Sequence, residues 1–184
     1  NQTPDWFFKN EKGEFVNVTQ NSGLAGLTGS WNSINGTDFD GDGDIDYIVG
    51  NLGTNTDLKA SGKQPLTIVA KDFDENGSID PIIGYYVNGI NYPLPNRDAL
   101  ISQISGMKRR FPYYKIYGNA TFDQIFSKEE LDGALRKEIT MLGTVFLENQ
   151  GNGSFTYKLL PESAQMAPVY GISIADVNGD GKPD

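Results

Sequence analysis

Residues 38–46 carry an unusual crowd of acids. Asp38-Phe39-Asp40-Gly41-Asp42-Gly43-Asp44-Ile45-Asp46 sets a carboxylate on every second residue and a glycine at the sixth position. Neighbouring carboxylates resist ionising together, so the pattern predicts a cation among them. A set made only of hard oxygen donors points to calcium. The frame recurs as Asp72-Phe73-Asp74-Glu75-Asn76-Gly77-Ser78-Ile79-Asp80 and as Asp176-Val177-Asn178-Gly179-Asp180-Gly181-Lys182-Pro183-Asp184. A single acidic loop can be no more than a solvated turn, but three copies in one register do not read that way.

Each position then has an expected role. Positions one, three, five and nine supply side-chain oxygens: Asp38, Asp40, Asp42 and Asp46; Asp72, Asp74, Asn76 and Asp80; Asp176, Asn178, Asp180 and Asp184. Position seven offers its backbone carbonyl, so its identity is free to vary among Asp44, Ser78 and Lys182. Gly43 at position six permits a sharp turn with positive φ. Positions two and eight are apolar or proline in every copy (Phe39/Ile45, Phe73/Ile79, Val177/Pro183) and are expected to anchor each loop into a core. An EF-hand opens similarly but needs a bidentate glutamate at position twelve between flanking helices. Val49 and Ile83 stand there, and the flanks are β-rich. The third copy also resembles the opening of a dockerin repeat, without the helix such a repeat requires.

Composition narrows the field. A chain of 184 residues can bury a real core, and its net charge of -9 argues against nucleic acid. The loops hold half of the 24 acidic residues, five, four and three in turn, so the acidity reads first as metal demand. Cysteine and histidine are absent, which excludes disulfides, thiolate metal sites and the commonest general base. No apolar run is long enough to span a bilayer. Asn1 stands where an initiator Met would, which points to a removed leader or a trimmed chain, and the ending at Asp184, the ninth position of its loop, predicts a fragment of a longer protein.

The elements that must position these loops are mostly strands. Apolar stretches on either side of Asn10-Glu11-Lys12-Gly13 predict a hairpin, residues 31–37 and 47–49 flank the first loop, and 66–70 and 82–87 flank the second. Residues 51–63 read as a polar surface loop. Asn88-Gly89 between apolar runs is a strong hairpin signal. Residues 95–140 change character. Asn96 can cap a helix carrying Leu100, Ile101, Ile104 and Met107, Thr121 can cap a turn through Phe122 and Ile125, and Ser127 to Glu130 has capping-box spacing ahead of Leu131, Ala134 and Leu135. The run Lys108-Arg109-Arg110 reads as a solvated helix end. Strands resume at 143–148 and 155–159, repeating the N-terminal hairpin, and 169–175 leads into the third loop.

The loops, with Phe7-Phe8-Lys9-Asn10 through Phe15, Val18-Thr19 and Gly23-Leu24, resemble FG-GAP/VCBS repeats, most closely the ASPIC/UnbV-like group, with integrin α-subunit propellers as distant relatives. The resemblance covers roughly 6–50, 65–92 and 142–184. It implies a mainly β chain, a partial β-propeller of two to three blades of antiparallel strands with a helical insertion, and Ca2+ in the hairpin loops. The corresponding layout is 1–94 as repeats with two acidic calcium loops, 95–140 as the helical insertion, and 141–184 as a further repeat truncated at its calcium loop.

Functionally, the expectation is a protein- or glycan-interaction module with structural calcium, extracellular, cell-surface or periplasmic. The competing class is part of a polysaccharide-acting enzyme, with Tyr85, Tyr86, Tyr92, Arg97, Asp98, Tyr113 and Tyr114 near the insertion as its ionisable and aromatic groups. Against it, no nucleophile–base pair is visible, and tyrosines at such positions usually pack. A third class is an architectural repeat that spaces other domains and binds calcium alone.

Overall fold

The computed structural model describes residues 6–184; Asn1 and the start of the first layout segment lie outside the described residues. In chain order the strands and α-helices are β1 (Phe8–Glu11), β2 (Glu14–Asn17), β3 (Ser33–Thr37), β4 (Asp46–Gly50), β5 (Leu66–Lys71), β6 (Asp80–Val87), β7 (Ile90–Pro93), α1 (Arg97–Gln103), α2 (Met107–Arg110), α3 (Tyr114–Gly118), α4 (Phe122–Ile125), α5 (Lys128–Leu131), β8 (Leu135–Ile139), β9 (Val145–Asn149) and β10 (Phe155–Leu159). The protein is mainly β, built from antiparallel sheets. Two compact units divide it: residues 6–57 with Ile139–Asp184, and Leu58–Glu138.

The first unit holds the hairpin β1–β2 and a four-stranded sheet in the order β10-β9-β4-β3. The acidic loop 38–45 joins β3 to β4, and β4 then pairs antiparallel with β9 in the register Tyr47↔Leu147. Alternation puts Val49, Val145 and Leu147 on one face, where Leu24, Leu27, Trp31 and Phe155 close over them. Phe7 reaches this core from the N-terminal hairpin and packs 4.5 Å from the Phe155 ring.

In the second unit the sheet order is β7-β6-β5-β8. The second acidic loop joins β5 to β6, and Asn88 and Gly89, at φ 50° and 83°, turn β6 into β7 as their type predicts. Buried Val69 and Ile82 meet Leu100, Ile104, Met107, Phe122, Ile125 and Phe126 of the helical segment in one core. The second loop and the helices therefore belong to one compact unit.

Several sequence expectations change here. The helix capped by Asn96 ends at Gln103; Ile104 is extended (φ −126°, ψ 94°) and a second helix starts at Met107. Ser105-Gly106, both weak helix formers, mark the break, yet Ile104 and Met107 stay buried. Leu135 belongs to β8 and is exposed rather than helical. The basic run is exposed as expected, but Arg110 at its end is also held by Glu130 and by the Ile125 carbonyl. Asn51, read as the start of a polar surface loop, is fully buried. Residues 169–175 form no strand ladder; they are tied to β3 through Ser33 Oγ donating to the Val169 carbonyl and Asn35 Nδ2 donating to Ile172.

Candidate metal centres

Each acidic loop is built by the same four hydrogen bonds. The N–H of position five donates to Oδ1 of position one: Asp42 to Asp38 (3.2 Å), Asn76 to Asp72 (3.0 Å), Asp180 to Asp176 (3.0 Å). The N–H of position six donates to the other oxygen of the same carboxylate, from Gly43, Gly77 and Gly181 at 2.8–2.9 Å. Position seven donates to the position-five side chain: Asp44 to Asp42, Ser78 to Asn76, Lys182 to Asp180. Position two donates to Oδ2 of position nine: Phe39 to Asp46, Phe73 to Asp80, Val177 to Asp184. The position-one carboxylate is thus the hub about which the chain wraps, and position nine closes the ring.

That wrapping needs left-handed backbone at two places. Position six is glycine in every copy, at φ 96°, 88° and 83°. Position four has positive φ as well: Gly41 at 82°, Gly179 at 78°, and Glu75 at 58° where a Cβ crowds the backbone. Glycine at position four in two of three copies was the available sequence signal for this second requirement.

The first two loops gather their acids. Single carboxylate oxygens of Asp38, Asp40 and Asp42 lie within 4.8 Å of one another, and so do those of Asp72, Asp74 and Asp80. Asp46 and Asp80 are 1% and 3% exposed. Asp46 accepts from the Asn149 backbone N–H at 2.8 Å, and Asn149 Nδ2 donates to the Ile45 carbonyl at 3.2 Å, so a strand-end residue that the sequence reading missed braces the first loop. The Asp42 N–H pulls the Asp40 carboxyl down, but lost hydration and the charges of Asp42, Asp46 and Asp38 outweigh it, and its pKa rises. In the second loop Oδ1 of Asp74 is buried with no hydrogen-bond partner. Its Oδ2 faces Ser105 between α1 and α2, at 3.4 Å from the Ser105 N–H.

The third loop shares the backbone scaffold, but Asp176, Asn178, Asp180, Lys182 and Asp184 are all exposed. No group of three acids is brought together there among the described residues.

The anchoring expectation holds for position two in the first two loops. Phe39 packs edge-on against Phe146 (5.6 Å) and Phe73 packs against Phe126 (4.7 Å). It fails at position eight, where Ile45 and Ile79 are exposed, and at Val177, which is 81% exposed. Position eight immediately precedes the inward-facing position nine, so strand alternation turns it outward.

No acidic-loop residue lines the cleft of the tyrosine–arginine group. Tyr85, Tyr92, Tyr114, Tyr117 and Arg97 line one cleft, whereas Tyr113 does not reach it and is 69% exposed. Asp98 holds both Arg97 and the Tyr114 hydroxyl. Neither a known family model, nor a curated protein, nor a solved structure matches this chain. No helix among the described residues is long and apolar enough to cross a membrane.

In the first two loops an all-oxygen donor set, carboxylates converging without a basic side chain hydrogen-bonded to them among the described residues, and an orphaned buried oxygen in Asp74 together fit a calcium ion better than any softer metal.

Proposed function

We propose that the chain is a calcium-binding module of the FG-GAP/VCBS type, with its four-stranded sheets serving as propeller blades, from a secreted or cell-surface protein. Asp38, Asp40, Asp42 and Asp46 would hold one ion with the Asp44 carbonyl, and Asp72, Asp74, Asn76 and Asp80 a second with the Ser78 carbonyl. The third loop would hold one through Asp176, Asn178, Asp180 and Asp184. The observation that carries this reading is the four-bond scaffold repeated at three places in the chain. When bound, the ion supplies charge neutralisation. The chain's own amides hold the position-one carboxylates in place before it arrives, so little ordering remains to oppose binding.

The calcium is structural, and the module's task is recognition of a protein or a glycan. An ion bound at one hundred times its Kd and only by the folded state adds about 2.7 kcal/mol. For a chain of this size that raises Tm by roughly 5–10 °C. Thermal unfolding with calcium and after chelation by EGTA measures this directly; an unchanged Tm would sink the claim. The second reading, part of a polysaccharide-acting enzyme, is favoured only by the ionisable pair Arg97–Asp98 beside the tyrosine cleft. It requires turnover that disappears in Asp98→Asn.

A further inference from the structure

The cleft of the second unit has a chemistry of its own. It measures about 330 Å³, within the range of small-ligand sites. Tyr85 and Tyr92 stand opposite each other on β6 and β7. Tyr117, from α3, is 8% exposed; it donates its hydroxyl to the Pro95 carbonyl at 2.6 Å, and burial beside Tyr85 pushes its pKa up to about 12. Tyr114 presents its ring to the Arg97 guanidinium, 5.0 Å from the ring centroid.

Charge is cancelled within this wall. Arg97 donates Nε to the Phe111 carbonyl (2.7 Å), one terminal nitrogen to Asp98 (2.9 Å) and the other to the Pro112 carbonyl (3.1 Å). Three of the five guanidinium N–H groups thus hold α1 against residues 111–112 and Asp98, and each oxygen of the Asp98 carboxylate accepts from either Arg97 or Tyr114. The Arg97 charge is thereby offset by Asp98 before any ligand arrives, which weakens its draw on an anion. What remains is aromatic surface with the hydroxyls of Tyr85 and Tyr92, which make no hydrogen bond among the described residues, and the amide nitrogen of Asn96, whose oxygen caps α1.

From this we infer that the cleft binds a short neutral saccharide. A pyranose presents a face of C–H groups suited to a tyrosine ring and an edge of hydroxyls suited to phenol and amide groups. With the Arg97 charge offset by Asp98, the wall favours neutral sugars over uronic acids. The unspent hydroxyls disfavour an apolar peptide, which would bury them without partners. The inference rests on the reading of the chain as a recognition module and gives that module its place and ligand class.

The test is saturation-transfer NMR and calorimetry on the full 184-residue chain, with maltose, cellobiose, lactose and N,N′-diacetylchitobiose as probes. Digalacturonate and a proline-rich decapeptide are the comparators. At least one neutral disaccharide is expected to bind. Tyr92→Ala should weaken it tenfold or more, and Tyr85→Phe with Tyr92→Phe, which keeps both rings and removes the hydroxyls, should weaken it several-fold at unchanged Tm. Binding of only digalacturonate or only the peptide overturns the inference, as does no neutral sugar binding, or sugar binding that survives both variants. Chelation is scored separately through Tm, so failure of the calcium reading leaves a distinct signature.

Discussion

Asn51 lies in the interior of the first unit with every polar atom committed. Its amide nitrogen donates to the carbonyls of Met141 and Gly143, its amide oxygen accepts from the N–H of Ser30 and Leu52, and its backbone bonds to Thr144 Oγ1 and to Val169 N–H. Gln165 completes the arrangement by bridging Thr144 and Leu160. Asn51→Leu keeps the branched outline of the side chain, at a larger volume, but strands two donors and two acceptors of the main chain, so stability should fall by about 3 kcal/mol in denaturant unfolding; a loss below about 1 kcal/mol would mean that water replaces the side chain. Glu75 makes the opposite prediction. Its left-handed backbone costs on the order of 1 kcal/mol, part of which the greater freedom of an unfolded glycine offsets. In calcium-free buffer Glu75→Gly should therefore gain about 0.5 kcal/mol while Glu75→Ala, which also removes the charge but keeps the Cβ, gains nothing. Asn51 did not announce itself: it looked like any polar loop residue, because burial is decided by partners ninety positions away.

Among the elements, hairpins and caps were the most readable from sequence. Asn96, Thr121 and Ser127 cap α1, α4 and α5, the last two in capping boxes, because those signals act within four residues. The break carried a local signal in Ser105-Gly106 that the sequence reading passed over, whereas the clasp of Arg110 on Glu130 depends on what the helices pack against and was not readable. That clasp gives a pH signature. The Arg110 hydrogen bond holds the Glu130 carboxyl below its usual range. A carboxylate with a depressed folded pKa stabilises above its unfolded pKa, near 4.3, and loses that contribution as pH falls through the folded value. Both side chains are more than a third exposed, so Glu130→Gln should cost no more than about 1 kcal/mol at pH 7. The difference from the parent protein should narrow as pH falls below the unfolded value and close once the folded carboxyl is protonated. A gap that persists beyond that point would assign the cost to the capping bond of Ser127 instead. The hairpin β5–β6 also leans on the helices: Lys71 Nζ donates to the carbonyls of Glu130 and Asp132, and Gln103 to that of Pro81. Given Ser105 against Asp74 and Phe73 against Phe126, chelation should raise amide exchange in residues 97–131 along with the second loop. Exchange confined to residues 72–80 would show the loop and helices to be independent.

For the whole molecule, the mainly β character and the positions of all three loops were legible, whereas the partnership of β4 with β9 was not. Tyr47 faces Leu147 a hundred positions later, and no local pattern encodes which distant strand completes a sheet. The unit Leu58–Glu138 occupies the chain between them. That placement sets an order of events. Joining β4 to β9 in an open chain means closing a loop of residues 51–144. Once residues 58–138 are folded, only two short connectors remain free, about three doublings fewer and roughly 1.7 kcal/mol less closure entropy to overcome. The hairpin β3–β4 forms locally and early, but the backbone N–H of Asn149 reaches Asp46 only after that closure. A chain caught beforehand carries a first loop whose ninth-position carboxylate still lacks one of its two donors, so the ion site proposed there would be completed last.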